Sequence, residues 1–375
     1  MLPHPAVYIH FPWCVRKCPY CDFNSHPLRD QDDFAAYTRA LNDDWQTQQR
    51  NLDQPTEFTS VFLGGGTPSL FEPAQMAPIL QKLPLSNDAE VTMETNPGTT
   101  EHHLLGGYLD VGINRLSIGA QSFSNTQLQS LGRIHNSTET YAAFEQARRA
   151  GFENINIDLM WGLPEQTVAE ALDDLEAAIR LQPEHISWYQ LTIEAKTEFA
   201  VRTPILPIDS VLAEIETQGL MRLHAAGYHR YEVSAFAREG HQCRHNLNYW
   251  SFGDYVGIGA GAHGKISHAS ASGLTIERTQ KASQPRRYQA SPDTTTVMPV
   301  TFSERPIEFM MNVRRMIDGV ETRSFVQRTG LAWEVIEPTW QRLVSQGLVR
   351  QERVATTPEG VRYLDSVLAE FLTSD

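Results

Sequence analysis

Six short β-rich runs, at 6–10, 60–63, 90–95, 115–118, 154–159 and 185–191, each lead into a helical pattern, and this alternation is what most limits the fold. Strands that alternate with helices pair in parallel, because each helix carries the chain back across the sheet. Between the last two runs, Thr167 and Glu170 form a capping box. It precedes Val168, Ala171, Leu172, Leu175 and Ile179, the stripe of an amphipathic helix. Ile208, Val211, Leu212 and Ile215 repeat the pattern after the sixth run. Six βα units fall short of the eight of a closed barrel, so the expected fold is α/β, an open partial (β/α)6 barrel whose lateral gap admits a large ligand. A doubly wound sheet is the alternative.

The segment 267–296 is polar and rich in Ser, Thr and Ala, and reads as a loose hairpin or linker. Beyond it, helical stretches at 306–317 and 335–345, Gly347 as a stop, the apolar Leu348 and Val349, and Thr357-Pro358 opening a last helix suggest a small winged-helix-like unit. The expected division is 1–235 for the barrel, 236–300 for a connecting region and 301–375 for the C-terminal unit. Winged helices often bind DNA. This one lacks a concentrated basic helix, and the chain carries 31 Lys+Arg against 45 Asp+Glu, a net charge of −14 that repels phosphate backbones and anionic lipid. No nucleic-acid partner is expected, and membrane contact only through another protein. The N-terminal residues lack the basic and apolar regions of a signal peptide, and no apolar run approaches a membrane span, so the expectation is a cytoplasmic protein.

Of the 4 cysteines, Cys14, Cys18 and Cys21 crowd one loop after the first run, as CxxxCxxC, while Cys243 stands far away. Such crowding is a ligand set rather than a disulfide framework. Three thiolates can hold three irons of a [4Fe–4S] cube and leave the fourth open to a small molecule. A structural zinc site needs four protein ligands, so Cys243 or a nearby histidine would have to complete it. Gly64-Gly65-Gly66-Thr67-Pro68 follows the second run, where glycines allow close backbone approach. Glu94 ends the third run, Gln121 follows the fourth, and Asp158 lies near the end of the fifth. Polar residues at the C-terminal ends of parallel strands converge on one mouth.

The cysteine motif with this glycine segment resembles the radical S-adenosylmethionine (SAM) superfamily along the full chain. The resemblance implies a [4Fe–4S] cluster on Cys14, Cys18 and Cys21, with SAM chelating the open iron. It further implies SAM contacts from Tyr8, Tyr20, Gly65, Gly66, Thr67, Glu94, Gln121, Arg133 and Asp158, with Arg133 pairing the carboxylate. For the two tyrosines, core packing is an equal reading. The run 259–264 spells GxGxxG, but it comes too late in the fold for a dinucleotide fingerprint. Similar segments in the superfamily close the SAM pocket near its adenine.

Within the superfamily the chain looks like the coproporphyrinogen III oxidase branch. The oxidase motif continues to a further cysteine where this chain has Phe23, and the oxidase carries a longer arm before the motif than the segment 1–13. His245-Asn246-Leu247-Asn248-Tyr249-Trp250 matches HNxxYW, the signature of the HemW heme chaperones. A neutral imidazole suits heme iron, and Tyr249 and Trp250 offer flat apolar area. His245 is the axial-ligand candidate, with His241 and Cys243 as rivals. The resemblance implies a heme carrier more than an enzyme. Its cofactors are the cluster, SAM and heme, and its partner is an unidentified heme-acceptor protein. Oxidative decarboxylation of a porphyrinogen is the alternative, and the oligomeric state is left open between monomer and homodimer.

Overall fold

The computed structural model describes residues 5–52, 57–98, 104–271 and 273–372. All six expected strands form. The order is β1 (Ala6–Phe11), α1 (Phe34–Arg50), β2 (Phe58–Gly65), α2 (Pro73–Leu80), β3 (Leu85–Thr95), α3 (Leu105–Asp110), β4 (Arg115–Gln121), α4 (Asn125–Ser130) and α5 (Ser137–Ala150). There follow β5 (Ile155–Trp161), α6 (Val168–Leu181), β6 (His185–Gln190), α7 (Glu198–Val201) and α8 (Asp209–Ala225). The capping box at α6 is made in both directions: the Thr167 side chain accepts from Glu170 N–H, and the Glu170 carboxylate accepts from Thr167 N–H at 2.8 Å. β1 to β6 pair in parallel in chain order.

The sheet continues beyond them. β7 (His229–Glu232) and β8 (Ala235–Ala237) add antiparallel strands outside β6. After α9 (Arg244–Trp250), β9 (Tyr255–Ile258) returns to the opposite flank and pairs in parallel with β1, Tyr8 lying opposite Gly257. The segment read as a loose hairpin or linker holds a regular hairpin of β10 (His263–Ser270) and β11 (Gly273–Gln280), followed by α10 (Pro285–Ala290) and β12 (Thr296–Pro299). Among the described residues, 12 strands share this sheet, in the order β12-β11-β10-β9-β1-β2-β3-β4-β5-β6-β8-β7.

Side chains alternate across each central strand. Leu116, Ile118 and Ala120 of β4 and Ile155, Ile157 and Leu159 of β5 belong to the main apolar core, while Ser117, Gly119, Gln121 and Asp158 face a cavity enclosed by the curved sheet. The interior carries these polar side chains while the main apolar core lies outside it, as an open barrel with a site inside requires.

A second core joins Phe309, Phe325, Trp340 and Phe371. It draws residues from α11 (Arg305–Val313), α12 (Thr322–Thr329) and α13 (Glu337–Ser345), and, beyond α14 (Pro358–Arg362), from α15 (Leu364–Ala369). Bridges Val320–Val354 and Val349–Thr356 supply the small β element of a winged helix. Among the described residues no helix is long and apolar enough to cross a membrane.

Asp44 of α1 ties the late segment to the barrel. Its fully buried carboxylate meets Lys281 Nζ at 2.5 Å and accepts from Tyr288 Oη at 2.8 Å and Gly259 N at 3.2 Å. Removing one partner of a buried pair strands the other charge, so Asp44→Ala is expected to cost about 3–5 kcal/mol. An apolar double replacement, Asp44→Leu with Lys281→Met, should recover most of it. Urea midpoints of the variants check both, and a wild-type midpoint for Asp44→Ala would show that Lys281 finds water.

Candidate functional site: a polar cavity beside three cysteines

The cysteine loop is held from two sides. Trp13–Cys14 pairs with His26–Pro27, and Cys21 N–H closes a turn onto Cys18 O at 3.1 Å. Asn24 then donates to Ala260 O and Ser283 O, both at 2.9 Å. A Cβ on Gly261 would stand 2.2 Å from Asn24 Nδ2, so that position excludes a side chain. The GxGxxG run therefore seats the cysteine loop. It does not line the cavity, which corrects the expectation that it closes the ligand pocket.

The cavity measures about 490 Å³. Of the expected site residues, Cys14, Cys18, Cys21, Tyr20, Gly65, Gly66, Thr67, Glu94, Gln121, Arg133 and Asp158 all line it. Tyr8 and His245 do not. Tyr8 lies below, its hydroxyl 3.0 Å from His10 Nδ1 and its ring stacked on Phe62. His245 packs against Phe62 and Tyr8, with ring centroids 5.1 and 6.2 Å away. Burial alone lowers its pKa to about 4, so the imidazole is neutral, and its Nδ1 has no hydrogen-bond partner. Asn246 and Trp250, on another face of α9, do reach the cavity.

The donors in the wall suit particular ligand groups. Gly65 N–H donates to Glu94 Oε2 at 3.0 Å, while Gly66 N–H and Thr67 N–H donate to Phe11 O and Trp13 O, both at 2.7 Å. With those N–H groups engaged, the turn keeps no free backbone donor at Gly65, Gly66 or Thr67. Arg133 donates to Asn96 Oδ1 at 2.5 Å and Gly119 O at 2.9 Å, and its Nη1 lies 3.7 Å from Cys18 Sγ. Its buried Nε has no partner, which leaves a donor for a carboxylate. Gln121 sits at φ 66, a left-handed conformation that only tight surroundings hold, and Tyr189 Oη donates to its Oε1 at 2.6 Å. Glu94 and Asp158 are carboxylates that suit ribose hydroxyls.

Sequence reasoning missed Asn96, Tyr189, Ser117, Ser187 and Arg315, all of which line the cavity. Asn96 follows Glu94 on the same rim, and Tyr189 and Ser187 alternate on β6, so the period of two would have found those three. Arg315 comes from the C-terminal unit, its guanidinium 4.4 Å above the Trp250 ring and 3.3 Å from Glu232, and nothing local in the sequence announces it.

Cys14 is buried, and Cys18 and Cys21 are half-buried beside the cavity. Among the described residues no three His, Cys, Asp or Glu side chains gather around a single metal ion. A cubic cluster asks for something different, one thiolate for each of three irons. Cys243 is fully buried, off the cavity, with Arg115 and Glu90 as charged neighbours.

Residues 8–178 match the family model of the Radical SAM superfamily. The chain is 44% identical to "Heme chaperone HemW" of Escherichia coli (strain K12), over 99% of each chain. It is 43% identical to that of Haemophilus influenzae, over 100% of this chain and 99% of the relative, and 32% identical to that of Bacillus subtilis (strain 168), over 98% and 99%. In fold it is similar to the coproporphyrinogen III oxidase of Escherichia coli, with a TM-score of 0.80 at 21% identity, over 99% of this chain and 90% of that one. The polar open barrel with three cysteines at its mouth is thus that of a radical SAM protein. Within that superfamily, the chain belongs to the HemW family of heme chaperones. Membership implies a [4Fe–4S] cluster and SAM, and the unpartnered Arg133 Nε and the three thiols beside the same cavity fit that pair.

Burial, with the Asp158 carboxylate facing it, lifts the Glu94 carboxyl from 4.5 to about 7, against the pull of Gly65 N–H. An acid with a raised folded-state pKa binds more protons folded than unfolded, so stability falls as pH rises from about 4.5 to about 7. Glu94→Gln should remove this carboxyl's share of that fall, leaving the part due to the other buried acids, and stabilise the SAM-free protein above pH 7 by up to about 3 kcal/mol. Urea midpoints from pH 4 to pH 8 check this. Parallel profiles for parent and variant would mean that the carboxyl is hydrated.

Proposed function

We propose that this protein binds heme and hands it to an acceptor protein, with a [4Fe–4S] cluster on Cys14, Cys18 and Cys21 and SAM in the adjoining cavity. The observation that carries the reading is the 44% identity to a heme chaperone over 99% of both chains, which spans the barrel, α9 and the C-terminal unit alike. When bound, the cluster and SAM supply one-electron chemistry at the sulfonium. This chain's own residues bind and orient. Arg133 faces the carboxylate end of SAM, the turn at Gly65, Gly66 and Thr67 faces its amino end, and Glu94, Gln121 and Asp158 face the nucleoside. Tyr20 walls the pocket, and Tyr8 supports it from below. Because the cysteines serve as thiolates, the reading belongs to a reducing compartment, the cytoplasm.

His245 enters as the candidate axial ligand of heme. Its imidazole is neutral above pH of about 4, with Nδ1 unpartnered, and to meet iron it has to leave the packing against Phe62, which requires α9 to shift. The rival function, oxidative decarboxylation of a porphyrinogen, is favoured by the fold likeness alone. Where the oxidase motif has its further cysteine, this chain presents Phe23, 61% exposed.

The deciding experiment is a heme titration of the reconstituted protein, followed by mixing with an apo-heme acceptor. Tight binding and transfer support the proposal. Conversion of coproporphyrinogen to its divinyl product at more than one equivalent per chain would replace it with the oxidase.

Cys18→Ala is expected to lose the cluster, and Cys243→Ala to keep it, by anaerobic iron and sulfide analysis with EPR. Arg133→Ala should weaken SAM roughly ten- to a hundredfold, the loss of one charge-assisted pair. His245→Ala should change the heme absorption spectrum and leave the iron–sulfur signal intact. An unchanged heme spectrum would return His245 to the core.

A further inference from the structure

Beneath the cavity, buried side chains connect Asp158 to α9. Asn156 Nδ2 lies 2.8 Å from Asp158 Oδ1 and 2.7 Å from Ser117 Oγ, and Ser117 Oγ lies 2.7 Å from Asp158 Oδ2. On its other side, Asn156 Oδ1 meets Ser187 N at 3.0 Å and His185 Nδ1 at 2.6 Å. His185 Nε2 lies 2.9 Å from Tyr231 Oη, which lies 3.3 Å from Asn246 Nδ2. Asn156, His185, Ser117 and Tyr231 are all buried.

The donors can be assigned by elimination. Ser187 N–H can only donate, so the Asn156 atom facing it is the oxygen, and the amide orientation is fixed. An amide oxygen only accepts, so His185 carries its proton on Nδ1. The Nε2 lone pair then accepts from the Tyr231 hydroxyl, whose oxygen accepts from Asn246. Every link donates in the same direction, from Asn246 through Tyr231, His185 and Asn156 to the Asp158 carboxylate. Bonds aligned head to tail in a buried setting polarise one another, so a change at one end is felt at the other.

We propose that Asn156, His185 and Tyr231 are positioning residues that couple ligand contact at Asp158 to the placement of Asn246 and α9. A ligand hydroxyl that takes up one Asp158 oxygen competes with Ser117 and Asn156 for it, and the Asn156 amide answers by changing its hold on His185. The helix that carries HNLNYW thereby registers whether the cavity is filled. The inference rests on SAM as the cavity's ligand, and needs nothing from heme.

Hydrogen exchange of the amides at 244–250 tests it, on cluster-loaded protein with and without saturating SAM. In the parent chain SAM should speed these amides about three- to tenfold, the scale of one net hydrogen bond weakened when the ligand competes for Asp158. Tyr231→Phe removes only the hydroxyl and should bind SAM while losing that response. Asn246→Ala cuts the last link and should lose it too, so the coupling stays testable even where one variant folds poorly. SAM-independent exchange in the parent, or the response retained in the folded variants, would overturn the coupling. Failure to bind heme would instead sink the delivery reading and leave this result standing.

Discussion

Parallel strands all end at one rim, and everything distinctive in this protein follows from what seven of them, β9 and β1 to β6, present there. Each strand sends alternate side chains inward and outward. The inward residues of β4 and β5 are mostly polar, Ser117, Gln121, Asn156 and Asp158, with Met160 joining a small apolar cluster at one end, so this face buries less apolar surface than the outer one. Cohesion has to come from the outer face, where Leu116, Ile118, Ile155 and Ile157 are buried in the main core. The interior is then free to serve a ligand, provided that each buried polar group finds a partner. Asn156 shows how tightly this is met, with both ends of its amide engaged.

The six central strands were legible because their outward residues form short apolar runs with turn residues on either side, a local signal. β9 to β12 were not. Gly273–Gln280 buries a single apolar residue deeply, Ile276, which leaves its alternation too faint to separate from a linker. β9 is buried throughout but only four residues long, and the glycine spacing after it invites comparison with nucleotide loops. Its true neighbours are β1 and the cysteine loop, some 250 residues earlier in the chain, and no local pattern encodes so distant a contact.

For the site, motifs next to strand ends were sound guides, because position on a rim needs only the strand boundary. Depth within the barrel was the harder quantity. On a helix, neighbours in sequence point about 100° apart, so the match to HNxxYW leaves open which of its residues face inward. Asn246 and Trp250, four apart and on one face, reach the cavity. His245 turns to the Tyr8 and Phe62 rings. The relay from Asn246 to Asp158 joins residues from β5, β6, β7 and α9, a grouping that exists only once the sheet has curled.

The charges of the cavity follow a similar division of labour. Glu94 and Asp158 line it together, both held above their ordinary pKa by burial. Arg133 stands beside Cys18, and Arg315 beside Trp250 and Glu232. A ligand that carries a positive centre and a terminal carboxylate fits this order, because the cation relieves the repulsion between the acids while the carboxylate meets the unpartnered Nε of Arg133. SAM has those two features. The wider surface has the opposite bias, with a net charge of −14 on the chain. For the proposed cargo, a porphyrin bearing carboxylates, that field disfavours loose adsorption anywhere on the surface and leaves local cations, Arg315 above the Trp250 ring among them, as the places where its charge is tolerated. A carrier that has to release what it holds gains from such an arrangement, since attraction confined to a few contacts disappears once those contacts part.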